Sequence, residues 1–452
     1  MNVAEQIVEQ LVDAGVHHIY GIVGDSLNPI VDAVRKTGGS KKGGIDWIHV
    51  RHEEAAAFAA SAEAQLTGKL AVCAGSCGPG NLHLINGLYD ANRTGAPVLA
   101  IASHIPSVQI GSTYFQETHP DRIFEECSVY NELISSAAQS PRTVNSAIRH
   151  AVGIGGVSVI TLPGDVSDLK AVDHVPTYAP ARPATLAPNA TDIEEAAALL
   201  NKADKVAIFA GAGVEGAHDE VIALADALKA PIGHSLRGKH FIQYDNPFDV
   251  GMTGLLGYGA AAEGMSDADV LILLGTDFPY DQFLPSTPTI QVDTHAEKLG
   301  RRTDVGLAIH AQVKPFIEAL LPHLRTNRSD SFLKSKIKKH SEIMHAPVGA
   351  YTRNVEKMRP IHPEYAAHLL NETAAKDAIF TADTGMCNVW TARYIDPLGT
   401  RRLIGSLLHG SMANALPMAL GAQVAYPDRQ VVSVSGDGGI SMLLGELITA
   451  KM

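Results

Sequence analysis

The sequence predicts an α/β protein built from three tandem open α/β domains with mainly parallel sheets, and three observations lead there. Helical and strand patterns alternate along most of the chain, which calls for right-handed crossovers and sheets covered on both faces. Glycine-rich turns recur at the ends of apolar strands, and the 41 glycines show no collagen-like or low-complexity period. At 452 residues the chain outgrows one core and suffices for about three domains.

In order, a helix from Val3 to Val12 stops at Gly15, and a strand spans His18 to Val23. Gly24-Asp25-Ser26 turns the chain into a second helix, and Trp47 to Val50 forms the second strand. Glu54 to Leu66, rich in alanine, is a third helix ended by Gly68. Strand Leu70 to Ala74, a helix from Leu82 and strand Pro97 to Ala102 continue the run. Val157 to Leu162 adds a buried strand closed by Pro163-Gly164-Asp165. From Thr177 to Pro188 proline and alanine replace the pattern, which reads as a linker. A second block holds strand Val206 to Ala210, helix Ala217 to Ala227, and strands Val270 to Leu274 and Ile290 to Val292. The polar stretch Thr326 to Pro360 reads as the next boundary. The third block has helix Pro363 to Ala375, strand Ala378 to Ala382, helix Ser411 to Ala425, strand Gln430 to Ser435 and a helix opening at Ile440. The predicted domains are 1–180, 185–335 and 355–452, the last of them incomplete.

A net charge of −12 argues against a nucleic-acid partner, because nothing offsets phosphate repulsion. The basic runs Lys41-Lys42 and Lys334 to Lys339 read as solvated surface. Cys73, Cys77, Cys127 and Cys387 form no Cys-x-x-Cys pair, so they read as buried or semi-buried thiols in a reducing compartment. The start Asn2-Val3-Ala4-Glu5 has the form of a helix N-terminus, and no stretch is long enough for a membrane span. A cytoplasmic protein is the expectation.

Four segments at strand ends carry candidate chemistry. Arg51-His52-Glu53-Glu54 precedes the alanine-rich helix, whose apolar surroundings favour the neutral form of a carboxyl; the alternative is an ordinary acidic helix start. Gly75-Ser76-Cys77-Gly78-Pro79-Gly80-Asn81 lets backbone approach a ligand, although many α/β turns look like it. Gly436-Asp437-Gly438-Gly439 suits a diphosphate bridged to Mg²⁺, with a tight turn and N-cap aspartate as the competing account. Gly211-Ala212-Gly213-Val214 lacks the full dinucleotide fingerprint.

Taken together, in order and spacing, these segments resemble the thiamine-diphosphate decarboxylase superfamily along the whole chain. Within it the sequence looks most like the quinone-dependent pyruvate dehydrogenase (pyruvate oxidase) branch. The matching runs are Ala71 to Leu88, Tyr114-Phe115-Gln116-Glu117-Thr118-His119-Pro120, Tyr244-Asp245-Asn246-Pro247, Gly251-Met252-Thr253-Gly254 and His409-Gly410-Ser411-Met412-Ala413-Asn414-Ala415. The resemblance implies a pyrimidine-binding domain first, an FAD-binding domain in the centre and a partial diphosphate-binding domain last. It implies oxidative decarboxylation of pyruvate to acetate and CO₂, with electrons passing through FAD to a quinone. Glu53 would exchange a proton with the aminopyrimidine ring, and Phe115 and Gln116 would face the reacting carbon. Gly78 and Gly80, with Gly410, Ser411 and Met412, would hold thiamine. Asp437, Gly438 and Gly439 would take the diphosphate end, Asp437 as the Mg²⁺ ligand. For FAD the implied residues are Gly211, Gly213, Arg237, Met252, Thr253, Gly254, Leu255, Thr276, Asp277, Phe278, Pro279 and Asp293.

The resemblance further implies a dimer at least and a tetramer by family habit, because Glu53 and the diphosphate motif belong to different subunits. Full-length relatives of this branch sit peripherally on the inner face of the cell membrane through a C-terminal segment absent here. Two departures stand out. His310-Ala311 replaces the usual Gly-Asp pair near the FAD adenosine end, and the chain ends at Met452, before a further Mg²⁺-binding asparagine. The second implies weak cofactor binding, no turnover, and an uncovered apolar surface on helix Ser411 to Ala425. Rival readings are an acetolactate synthase, a phosphate-dependent pyruvate oxidase and, from another class, a non-catalytic nucleotide-binding subunit.

Overall fold

The computed structural model describes residues 1–173, 178, 184–326 and 328–452. The chain divides into two compact units: Met1–Arg182 with Ile379–Cys387 and Ile404–Met452, and Pro183–Ala378 with Asn388–Leu403. Half of the expected linker, Thr177 to Pro188, lies outside the described residues.

In the first unit the strands are β1 (His18–Gly21), β2 (Asp46–His49), β3 (Ala71–Gly75), β4 (Val98–His104), β5 (Tyr130–Leu133) and β6 (Val157–Pro163). They form one sheet in the order β2-β1-β3-β4-β6-β5, and every neighbouring pair is parallel. The interior strands β3, β4 and β6 are buried from end to end because crossover helices cover both faces. Helix Glu53–Thr67 is buried nearly all round, and its alanines permit two close helix crossings. On helix Pro79–Thr94 a Cβ at Gly87 would stand 2.5 Å from Ala57 Cβ, and on helix Ala415–Ala425 one at Gly421 would stand 2.1 Å from the Ala59 carbonyl oxygen. Glycine is therefore obligatory at both crossings.

The second unit carries β7 (Val206–Ala210), β8 (Ile232–His234), β9 (Asp249–Met252), β10 (Tyr258–Gly259), β11 (Val270–Leu274), β12 (Thr289–Asp293) and β13 (Leu307–His310). Their order is β10-β9-β8-β7-β11-β12-β13, parallel except for the β9–β10 hairpin. A third sheet places β14 (Ile379–Ala382) between β15 (Arg402–Gly405) and β16 (Val431–Val434).

Three expectations need correction. The polar stretch Thr326 to Pro360 contains helix Ser331–Ile343, and Lys336 within it is buried rather than solvated. Its ammonium donates to Glu263 Oε1 (2.7 Å) and Asp267 Oδ2 (2.5 Å), so tertiary partners make this charged segment a packed element. The helix expected from Leu82 begins at Pro79, where proline's missing N–H costs nothing in a first turn. Helix Ser411 to Ala425 begins only at Ala415, after Ala413 adopts a left-handed φ of 62°; its Met418 side is covered, packing with Phe58, Ala62 and Ile404, while Ala419 and Leu420 are partly buried. The four cysteines are free and buried; burial pushes the Cys127 thiol up to about 12. Among the described residues no helix is long and apolar enough to cross a membrane.

In the second unit Lys239, 3% exposed, donates to the Ala392 carbonyl (2.6 Å) and lies 3.3 Å from the Tyr258 hydroxyl. Burial lowers its ammonium from 10.5 to about 8, partly offset by Asp396 and Asp249. The unfolded chain therefore binds this proton up to a higher pH than the folded chain, and stability rises with pH between those values. Relative to Lys239→Met, the protein should gain about 3 kcal/mol between pH 8 and 10.5. Urea unfolding midpoints across that range check it, and parallel curves for the two proteins would refute it.

Candidate active site

The carboxyl ends of β1, β3 and β4 meet at the crevice where an open parallel sheet takes its ligands. Three serines tie these ends together: Ser26 Oγ lies 2.7 Å from Ser103 Oγ and 3.0 Å from Ser76 Oγ, and it accepts the Cys77 N–H at 3.0 Å. The loop that follows is thereby fixed. Gly78 has φ 69°, and a Cβ there would stand 2.9 Å from both the Cβ and the carbonyl oxygen of Gln116. Gln116 itself is left-handed, with φ 63°, and the Cys77 thiol donates to its Oε1 at 3.3 Å. Next to it Phe115 is 78% exposed. Glu117 braces this loop by accepting the N–H groups of Gly111 and Tyr114; those bonds, that from Gly111 foremost, hold its carboxyl below the usual range.

Glu53 opens helix Glu53–Thr67, and His52 caps it by accepting the Glu54 N–H. The helix start fixes the Glu53 backbone, and burial fixes its side chain. Its Oε2 lies 2.9 Å from His83 Nδ1, and its Oε1 lies 3.0 Å from the place a Cβ would take at Gly80. Glycine at 80 thus leaves room for the carboxylate. His52 and His83 stack with ring centroids 4.4 Å apart.

One turn beyond His83, Asn86 donates to Glu54 Oε1 (2.7 Å) and to Ser411 Oγ (2.8 Å). With both amide hydrogens committed, its oxygen accepts from His409 Nε2 (2.8 Å). Burial, with Arg93 adding to it, keeps His409 below the ordinary histidine range, so the ring is neutral and carries its proton on Nε2. The resemblance places Glu53 and the diphosphate motif on different subunits; within this chain Asn86 already joins the glutamate-bearing helices to the Gly410–Met412 segment.

Gly436-Asp437-Gly438-Gly439 follows β16, with Asp437 exposed at the start of helix Asp437–Met442. A Cβ on Gly438 would lie 3.2 Å from Met412 Cε, and one on Gly439 would lie 2.2 Å from Asp383 Oδ2. The motif is therefore brought against the 411–413 segment. Burial raises the Asp383 carboxyl, and the N–H of Ala415, the Ser435 hydroxyl and the N–H of Asn414 offset it in part. The exposed Asp437 carboxylate among small residues fits a hard cation and a diphosphate.

The other predicted group lies in the second unit. After β7 and β11, a Cβ at Gly211 would stand 2.3 Å from the Gly275 carbonyl oxygen, and Gly213 N–H donates to that oxygen at 2.9 Å. Gly211, Gly213 and Thr276 are thus brought together at adjacent strand ends. Asp277 pairs with Arg301 and with Arg302 (3.2 Å). Phe278 is core, edge-on to Phe209 at 5.2 Å, and Gly254 lets its loop pack on that ring. Met252 is buried and Leu255 exposed; Thr253 is buried with its hydroxyl lacking a partner among the described residues, as a ligand-facing hydroxyl would be. Asp293 accepts the His295 N–H at 2.9 Å and pairs in register with His310, whose Nε2 turns to the Thr294 carbonyl at 3.1 Å. Arg237 lies half-buried beyond β8, and Pro279 follows Phe278 on the loop after β11.

Sequence reasoning missed the parts played by His83, Asn86, Ser26, Ser103 and Asp383. Starting the helix at Pro79 would have found two of them, because positions 83 and 86 then share a face.

Comparison with known proteins gives three family matches: the N-terminal TPP binding domain of thiamine pyrophosphate enzymes over residues 1–123, their central domain over 193–320, and their C-terminal TPP binding domain over 383–452. The chain is 36% identical to the putative thiamine pyrophosphate-containing protein YdaP of Bacillus subtilis, covering 99% of this chain and 77% of that protein. It is 31% identical to the pyruvate oxidase of Lactiplantibacillus plantarum (98% and 74%). It is also 31% identical to the acetolactate synthase isozyme 2 large subunit of Escherichia coli (100% and 81%).

Proposed function

The chain belongs to the thiamine pyrophosphate enzyme family, and on that footing we propose that it decarboxylates pyruvate oxidatively, with thiamine diphosphate, Mg²⁺ and FAD, and passes the electrons to a quinone. Pyruvate and water would give acetate and CO₂, and two electrons with two protons would reduce the quinone to the quinol. The observation that carries this reading is the seat of Gln116 on Cys77 and Gly78, in the same loop whose Gly80 abuts Glu53. Thiamine diphosphate, when bound, supplies the electron sink for loss of CO₂.

The chain's own groups do the rest. Glu53 would take up and return the proton at its carboxylate, with His83 Nδ1 fixing the orientation of Oε2. Phe115 offers an apolar wall beside the substrate, and Gln116 an amide whose oxygen is held by the Cys77 thiol. Asp437 offers a carboxylate oxygen to Mg²⁺, and the glycines at 438 and 439 keep side chains out of the way of phosphate. In the second unit the Gly211–Gly213 turn, Thr253 and Thr276 would face FAD.

Purified, flavin-loaded protein should bleach anaerobically on addition of pyruvate only when thiamine diphosphate and Mg²⁺ are both present, and acetate should appear. Acetolactate as product, without bleaching, would instead support a synthase reading, which the Escherichia coli relative favours. A flavin that never bleaches, with no product, would reject both.

A further inference from the structure

Glu53 does not stand alone at its helix start. His52, Glu53 and His83 each offer one donor atom, and these atoms all lie within 4.8 Å of one another. The carboxylate is buried, whereas the His52 and His83 side chains are 36% and 46% exposed, so the group sits at a mouth that an ion can reach. The stacked rings point from two different helices, one from the cap of Glu53–Thr67 and one from the first turns of Pro79–Thr94.

We propose that His52, Glu53 and His83 form a binding site for a borderline-soft divalent cation of the Zn²⁺ class, and that filling it withdraws Glu53 from the cofactor. The second half rests on the reading of Glu53 as the cofactor's proton partner. Two imidazoles and one carboxylate are the donors such ions prefer, at ~2.0–2.2 Å, with water completing a tetrahedron. Closing three donors from within 4.8 Å onto one ion needs only side-chain rotations, which the exposed rings can make. The ion takes the place of the proton that His83 Nδ1 shares with Glu53 Oε2. That proton is released, so affinity rises with pH. Mg²⁺ prefers oxygen donors and keeps its waters, so it does not compete here. The site therefore separates two metals in one protein: a hard cation with Asp437, and a borderline one that blocks Glu53.

The test uses the full chain without cofactor, titrated calorimetrically with ZnCl₂ in a non-coordinating buffer containing millimolar MgCl₂. One equivalent should bind, and His83→Ala and His52→Ala should each weaken it by at least ~100-fold. Circular dichroism establishes that each variant is folded, and Co²⁺ in the unchanged protein should give the intense visible bands of a tetrahedral site. Binding that persists in both variants, absence of binding, or a weak octahedral Co²⁺ spectrum overturns the site. A second arm measures half-saturation by thiamine diphosphate as Zn²⁺ is raised. A proportional increase supports the competition. Zn²⁺ bound through both histidines with no change in that requirement overturns the competition, whereas the role given to Glu53 falls only if Glu53→Gln stays active.

Discussion

Glu53→Gln should reduce turnover by at least ~10²-fold, the lower end of what a positioned acid–base group contributes. The substitution keeps the shape of the side chain and its partner. A glutamine amide can still meet His83 Nδ1 at the 2.9 Å that the carboxylate occupies, and it still clears Gly80. The helix start is also preserved, because His52 and not Glu53 supplies the cap. What is lost is the ability to take up and return a proton at that spot. The unfolding midpoint should therefore stay within ~0.5 kcal/mol of the parent while kcat falls. An active Glu53→Gln protein would reduce Glu53 to an acidic residue at a helix N-terminus, which is the plain alternative that its position allows.

That alternative shows how far the residues alone could be read. Strands Val206–Ala210 and Val270–Leu274 match their sequence-based limits end to end, because each is an unbroken apolar run between a charged residue and a glycine. Tyr130–Leu133 escaped notice since a half-buried edge strand reading Tyr-Asn-Glu-Leu has no such run. Helix Ser331–Ile343 was hidden because its lysines look solvated until Glu263 and Asp267, some seventy positions earlier, are found beside Lys336. The candidate site divides in the same way. Glu53, Gly80 and Asp437 stand in motifs whose residue types already limit the chemistry. The seat of Gln116 depends on a left-handed backbone at a glutamine, which no local signal announces. The Asn86 link to Ser411 and His409 joins positions more than three hundred residues apart, so only the folded chain can show it.

Arg401→Ala should destabilise the second unit by about 1–3 kcal/mol, the cost of leaving buried acceptors without their donor. Arg401 is 3% exposed, and its guanidinium is spread over acceptors at the end of helix Pro363–Thr373. It donates to the carbonyls of Asn371 (2.9 Å), Ala374 (2.8 Å) and Ala375 (3.0 Å), and to Asn371 Oδ1 at 2.7 Å. A fifth, longer contact reaches the Asp396 carbonyl at 3.3 Å. The Asn371 and Ala374 carbonyls lie past the last intrahelical bond, so the arginine supplies donors that the helix end itself lacks, while the Ala375 carbonyl also accepts the Ala378 N–H. Burial lowers the guanidinium from its ordinary value, and Asp396 offsets part of that. Arg401→Lys should recover only part of the loss, because an ammonium has three donors on one atom and cannot span the fork. The chain's two tryptophans make the measurement local: Trp47 lies in the first unit and Trp390 in the second. In a Trp47→Phe background, urea unfolding followed by Trp390 fluorescence should show a lower midpoint for Arg401→Ala and an intermediate one for Arg401→Lys. Equal midpoints for all three proteins would mean that water replaces the guanidinium at the helix end without cost, and that this terminus is far wetter than the burial of Arg401 implies.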